Sequence, residues 1–207
     1  MNETSARDQI VAAARSIFSR SLTHGSTGNI SVRVEGRIFV TPTGSSLGTV
    51  VADELSVIDL HGRHLDGAKP SKEAFLHAAV LRARPSATAV VHTHSTYSAA
   101  VSCLDGLDAD DALPPLTAYF AMRIGRLPLL PYHAPGDDSL EPLAEAAARK
   151  NLALLLSNHG PVVAGASLTG AMDALEELEE TAKLFLLLQG HRTRPLSREQ
   201  ADALSPR

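Results

Sequence analysis

The chain has 207 residues, with 19 Lys plus Arg against 23 Asp plus Glu, a net charge of −4, and 44% apolar and 20% charged residues. This balance describes a folded chain of one domain's length, residues 1–207, and its mild acidity argues against a nucleic-acid partner. A single cysteine, Cys103, excludes an intrachain disulfide and fits a reducing cytoplasm, while strictly apolar runs of five residues exclude a membrane span and the opening segment lacks a signal-peptide core.

Ile10, Val11, Ala14, Ile17 and Phe18 recur on one face of an opening helix. A small-residue loop, Thr23 to Gly28, precedes two strands, Asn29 to Arg33 and Arg37 to Thr41, that pair as a hairpin around Glu35 and Gly36. After a second such loop, Pro42 to Gly48, Leu55 to Leu60 reads as a strand that turns at His61-Gly62 and returns before Gly67. Ser71 predicts an N-cap, with Glu73 in the first turn of a helix running to Pro85. Ala87 to Thr93 predicts a buried strand, and Ser95 to Leu104 a short helix.

Pro114-Pro115 marks a turn, with a helix from Leu116 onward in which Tyr119 reads as a core residue or as one that reaches a neighbouring subunit. Pro128 and Pro131 confine the extended stretch Leu127 to Tyr132 to a sheet edge. Ser139 predicts the cap of a helix to Lys150, with Pro142 in its first turn. Two strands, Leu152 to Ser157 and Pro161 to Ala164, flank Asn158-His159-Gly160. The longest helix, Ser167 to Gln189, ends at Gly190, and the tail after about residue 192 reads as loosely attached. Hairpins early and no regular βαβ rhythm predict an α/β fold, a three-layer α/β/α sandwich around a mixed, mostly antiparallel sheet.

Nine histidines stand out against three Tyr, five Phe and one Cys. His92 and His94 lie two apart at the end of a β-branched run, and on a strand such residues share a face with Cα atoms roughly 6.6 Å apart. Two imidazoles in that arrangement can close on one metal ion, and His159, at a strand end, is a plausible third ligand. Three histidines leave open positions on the ion, the arrangement of a catalytic rather than a structural site, and one cysteine excludes a thiolate-rich centre. Glu73 is the candidate acid/base, since a helix start favours the carboxylate. His77, a turn later, hydrogen-bonds Glu73 or fills space; His24 and His133 are weaker candidates for substrate contact. The loops Gly25 to Asn29 and Thr43 to Ser46, with Ser71-Lys72, offer N–H and hydroxyl donors and a cation to an anion, though neither loop has a Walker or dinucleotide glycine spacing.

Together the stretches Thr27-Gly28-Asn29-Ile30-Ser31, Thr41-Pro42-Thr43-Gly44, Pro70-Ser71-Lys72-Glu73, His92-Thr93-His94-Ser95 and Asn158-His159-Gly160 resemble the class II aldolase/adducin family over about Ile10 to Gly190. The resemblance implies a zinc ion, or another divalent ion such as Mn2+ or Co2+, on His92, His94 and His159. It implies Glu73 as the acid/base, counted as a ligand in some states. A phosphate would be held by Asn29, Thr43, Gly44 and Ser71 with Lys72 nearby, in a homotetramer with sites at subunit interfaces.

Leu22 to Asn29, Leu113 to Thr117, Asn158 to Gly165 and Glu176 to Lys183 resemble the decarboxylase branch that takes a 3-oxo-tetronate 4-phosphate. Where aldolases of the fuculose-phosphate type carry a second Ser before the acid, this chain has Lys72. The chemistry agrees with that branch: a 3-oxo acid that loses CO2 leaves an enediolate, a divalent ion stabilises the charge, and an acid at Glu73 protonates carbon to give dihydroxyacetone phosphate. A sugar-phosphate aldolase or epimerase, and a non-catalytic adducin-like domain, remain the alternatives.

Overall fold

The apolar face at Ile10, Ala14 and Ile17 forms the helix expected of it. In the computed structural model, which describes residues 2–205, α1 spans Glu3–Ser19 and buries Ile10, Ala14 and Ile17 completely, while Val11 is half-buried and Phe18 exposed at the edge of that face. The first hairpin joins β1 (Asn29–Val34) and β2 (Arg37–Val40) through Glu35 and Gly36, both at positive φ (48° and 81°), the two-residue turn that matches strand twist. β3 (Ser56–Asp59) and β4 (His64–Asp66) extend the sheet outward from β2.

The other flank is built from β5 (Ala89–His92), β8 (Gly160–Gly165), β7 (Ala153–Leu156) and β6 (Leu129–Leu130), giving the order β4-β3-β2-β1-β5-β8-β7-β6. Every neighbouring pair is antiparallel except β6 with β7. The proline-flanked strand is indeed at the edge, shortened to two residues.

Alternation along the central strands separates two cores. Val32, Phe39, Val91, Leu155 and Val163 pack with α1, α3 (Thr96–Ser102), α4 (Ala118–Arg123) and α6 (Leu168–Leu187). Ile38, Val40, Val90, Leu154 and Val162 face α2 (Ala74–Ala83) and α5 (Glu141–Ala148). The sheet is thus covered by helices on both faces, which is why β5 and β8 carry apolar residues at consecutive positions.

Several boundaries differ from the expectation for local chemical reasons. The regular α2 starts at Ala74, not at Ser71: Ser71 opens a turn, its carbonyl accepting from the Ala74 N–H at 3.0 Å, and Glu73 is the residue just before the helix. Asp137 rather than Ser139 caps the segment leading into α5, accepting from the Ser139 N–H at 3.0 Å. Gly190, at φ 80°, lies two residues beyond the Leu188 cap of α6 instead of directly after it. The segment after Arg192, expected to be loose, forms α7 (Arg198–Leu204) behind a Ser197–Gln200 capping box. It is tied back by the Leu196 N–H to the Pro115 carbonyl at 3.0 Å, although its side chains stay largely exposed. No helix among the described residues is long and apolar enough to cross a membrane.

Candidate metal centre

The three central strands deliver the site. Asn29, the first residue of β1, pairs with His92, the last of β5, which in turn pairs with Val162 of β8. His94 lies two residues past the strand end, before α3, and His159 sits in the β7–β8 turn, where Asn158 adopts φ 55°. Two glycines let these segments meet. A Cβ at Gly160 would come within 2.3 Å of the Thr93 carbonyl oxygen, and one at Gly28, with φ 79°, within 2.9 Å of that of His92.

One donor atom each from Glu73, His92, His94 and His159 lies within 4.8 Å of the others. The His159 Nε2 is 2.9 Å from that of His94 and 3.3 Å from that of His92; the Glu73 carboxylate stands 3.4 Å from His92 Nε2 and 3.3 Å from His159 Nε2. The buried His92 Nδ1–H donates to the Pro161 carbonyl at 2.8 Å, which leaves the Nε2 lone pair facing its neighbours. Such a bond on the far ring nitrogen sets the tautomer a metal ligand needs. Three imidazole nitrogens and one carboxylate oxygen converging at these distances fit a divalent cation.

Charge in the cluster runs the same way. Burial works to raise the Glu73 carboxyl, but the His92 imidazole, the Asn29 hydrogen bond and then His159 and His94 outweigh it and hold the group at about 2. Burial, reinforced by His92, lowers His94 to about 3 and His159 to about 4, so their lone pairs are free at neutral pH. His77, fully buried, is pushed to about 3 by the same loss of water.

Below the ordinary histidine value of 6.5 the unfolded chain therefore binds more protons than the folded one. The stability this contributes is present above pH 6.5 and lost as pH falls towards 3, and the depressed Glu73 acts with the same sign below 4.5. The metal-free chain should have a lower urea midpoint at pH 5 than at pH 7; equal midpoints would show that the imidazoles are not held neutral by the fold.

The cluster forms one wall of a cleft of about 260 Å³ whose lining includes Asn29, Thr43, Gly44, Ser71 and Lys72, together with Glu73, His94 and His159. All the residues expected around substrate are thus brought together. The Asn29 side chain, however, is already engaged. Its Nδ2 donates to Ser71 Oγ (3.1 Å) and to Glu73 Oε2 (2.9 Å), and its Oδ1 accepts from His77 Nε2. Its amide is thus aimed at Ser71 and at the Glu73 carboxylate. His24 is exposed and does not line the cleft, and His133 bonds its own loop through the Pro131 carbonyl. Tyr119 is 61% exposed, against the expectation of a core tyrosine.

The sequence pattern of the Class II Aldolase and Adducin N-terminal domain matches residues 8–186. The chain belongs to the class II aldolase/adducin family. Among curated members, the 3-oxo-tetronate 4-phosphate decarboxylase of Haemophilus influenzae is 45% identical over 208 residues, covering 100% of this chain and 99% of its own. The L-fuculose phosphate aldolase of Methanocaldococcus jannaschii is 36% identical over 181 residues, covering 87% and 96%. Among solved structures, YgbL of Klebsiella pneumoniae, a putative aldolase/epimerase/decarboxylase, superposes with a TM-score of 0.95 at 43% identity over 99% of each chain.

Two features of this family member escaped the sequence reading. The His77 imidazole reaches the Glu73 carboxylate through Asn29, with its Nδ1 2.7 Å from Ser31 Oγ, a chain of side-chain partners far apart in sequence that links β1 to α2. Glu179, inside an acidic run that looks like a solvated face, is buried at 5% exposure. Its position one step from the apolar stripe at Leu175 and Leu178 was the available signal.

Proposed function

We propose that this chain is a divalent-metal-dependent lyase that decarboxylates a 3-oxo-tetronate 4-phosphate to dihydroxyacetone phosphate and CO2. The observation that carries it is the convergence of Glu73 with His92, His94 and His159 beside a cleft with one lysine, in a chain that matches a named decarboxylase end to end. A divalent cation would be held by His92, His94 and His159, with Glu73 a fourth ligand only at rest; Zn2+, preferred over Mn2+ or Co2+ for its fit to three imidazoles, would supply Lewis-acid stabilisation of the negative charge left when CO2 departs.

The remaining steps fall to the chain. Thr43, Gly44 and Ser71 offer hydroxyl and N–H donors to the phosphate, and Lys72 adds the cation. Loss of CO2 from the carbon next to the ketone needs no base, but the net reaction takes up one proton per CO2. Glu73 relays that proton to carbon. At rest the carboxylate is ionised; a phosphorylated, carboxylated substrate that displaces water from the cleft raises its pKa, by like charge and by deeper burial, towards the range of a working acid.

We further propose a single-domain cytoplasmic enzyme that assembles as a homotetramer. Exposed apolar side chains on α4 and α6, Tyr119 (61%), Met122 (46%) and Leu187 (65%), support assembly. The aldolase reading is the alternative that the Methanocaldococcus relative favours. Metal-loaded protein should release CO2 from 3-oxo-tetronate 4-phosphate and leave fuculose 1-phosphate intact; cleavage of the sugar phosphate with no CO2 from the oxo acid would overturn the decarboxylase reading in favour of the aldolase.

A further inference from the structure

α3 joins two of the metal-site histidines mechanically. It begins two residues after His94, and its last residue, Ser102, holds the turn that carries His159: the Ser102 carbonyl accepts from the Asn158 N–H at 3.0 Å, and its Oγ accepts from the His159 N–H at 3.1 Å. A seven-residue helix is too short to be stable by itself, so its position depends on what grips it. Ser95, at the cap position, makes no side-chain bond to the helix start; its Oγ accepts from Thr93 Oγ1 instead.

The grip comes from α6. Glu179 Oε1 accepts from the Tyr97 N–H at 2.8 Å, and Oε2 accepts from the Ser98 N–H at 2.9 Å and from Ser98 Oγ at 2.7 Å. A buried carboxylate with three donors is stable where an unpaired one would not be, and at the positive end of a helix it also opposes the dipole favourably. Glu179 thus serves as a cap supplied from another element, binding the two segments of chain that present His94 and His159 to one rigid helix.

We propose that Glu179 is a positioning residue for the metal centre, holding His94 and His159 in register through α3. This rests on the metal-site reading above and extends it to a side chain that touches neither ligand. Loss of its carboxylate lets the helix start shift, and with it the spacing of the two imidazoles.

The test is a titration of the metal-free chain with Co2+ alone, following visible absorption and chelator competition. Glu179→Gln, which cannot accept from all three donors, should weaken Co2+ binding about tenfold, the lower end of what loss of an outer partner costs. Ile10→Val, a core change on α1, should lower the unfolding midpoint and leave Co2+ affinity at the wild-type value. Wild-type affinity in Glu179→Gln, or equal weakening in Ile10→Val, would overturn the proposal while leaving the metal site standing. Should Glu179→Gln not fold, Ser98→Ala decides, because it removes one bond of the three: weaker Co2+ binding supports the proposal and unchanged binding ends it. A wild-type chain that binds no Co2+ would sink the metal reading itself and the role of Glu179 with it.

Discussion

His92→Ala should yield a folded chain that retains only traces of divalent metal after dialysis, against one ion per chain in the wild type. His92 is the most buried of the three imidazoles, and its Nδ1–H bond to Pro161 fixes which nitrogen faces the cluster. Removing it takes away a donor atom rather than an outer partner, so the loss of affinity should exceed the roughly 10–100-fold that outer partners cost. It also removes the shorter of the two hydrogen bonds that the Pro161 carbonyl accepts, the other coming from the Thr93 N–H at 3.4 Å, for about 0.5–1.5 kcal/mol of stability. Metal analysis beside the unfolding midpoint separates the two effects: Ile10→Val loses stability and keeps its metal, whereas His92→Ala loses both. Full metal content in His92→Ala would place the ion elsewhere and leave the cluster without its assigned role.

Much of this centre was legible in the sequence because its three histidines sit at or just past strand ends, although β5 stops at His92, so His94 joins the cluster from the turn before α3 and not from a shared strand face. His92 and His94 follow a run, Val90-Val91, that only a strand covered on both faces explains, and the two cores confirm that packing. The same logic placed Pro128 and Pro131 at a sheet edge. Cap positions were less legible. Ser71 and Ser139 are good caps by residue type; the Ser71 hydroxyl does accept from the Glu73 N–H at 3.3 Å but is shared with Asn29, that of Ser139 donates to Asp137, and the regular helices start later. What pattern cannot show is a partnership across elements. The family resemblance implied Asn29 as a phosphate donor, and nothing in the pattern showed that its side chain also meets Glu73 and His77. Glu179 lay within an acidic run, and only the approach of α3 to α6 reveals why one of those carboxylates is buried.

Glu73→Gln should stop turnover and leave the metal in place. The three imidazoles remain and the glutamine carbonyl can still accept from Asn29 Nδ2; what is gone is the carboxylate's charge and its capacity to carry a proton. A general acid contributes on the order of 10²–10⁴ in rate, so kcat should fall by that factor with KM little changed, the signature of a group needed in the transition state. The decisive measurement avoids the overall reaction. Protonation of the enediolate is reversible in principle, so the wild-type chain should exchange one hydroxymethyl hydrogen of dihydroxyacetone phosphate with D2O, followed by proton NMR. An aldolase would perform the same exchange, which makes this a test of Glu73 whichever lyase reading holds. Glu73→Gln should lose the exchange while its metal content stays at one ion per chain. Exchange at the wild-type rate in that variant would assign the proton to another group, with Glu73 reduced to a ligand.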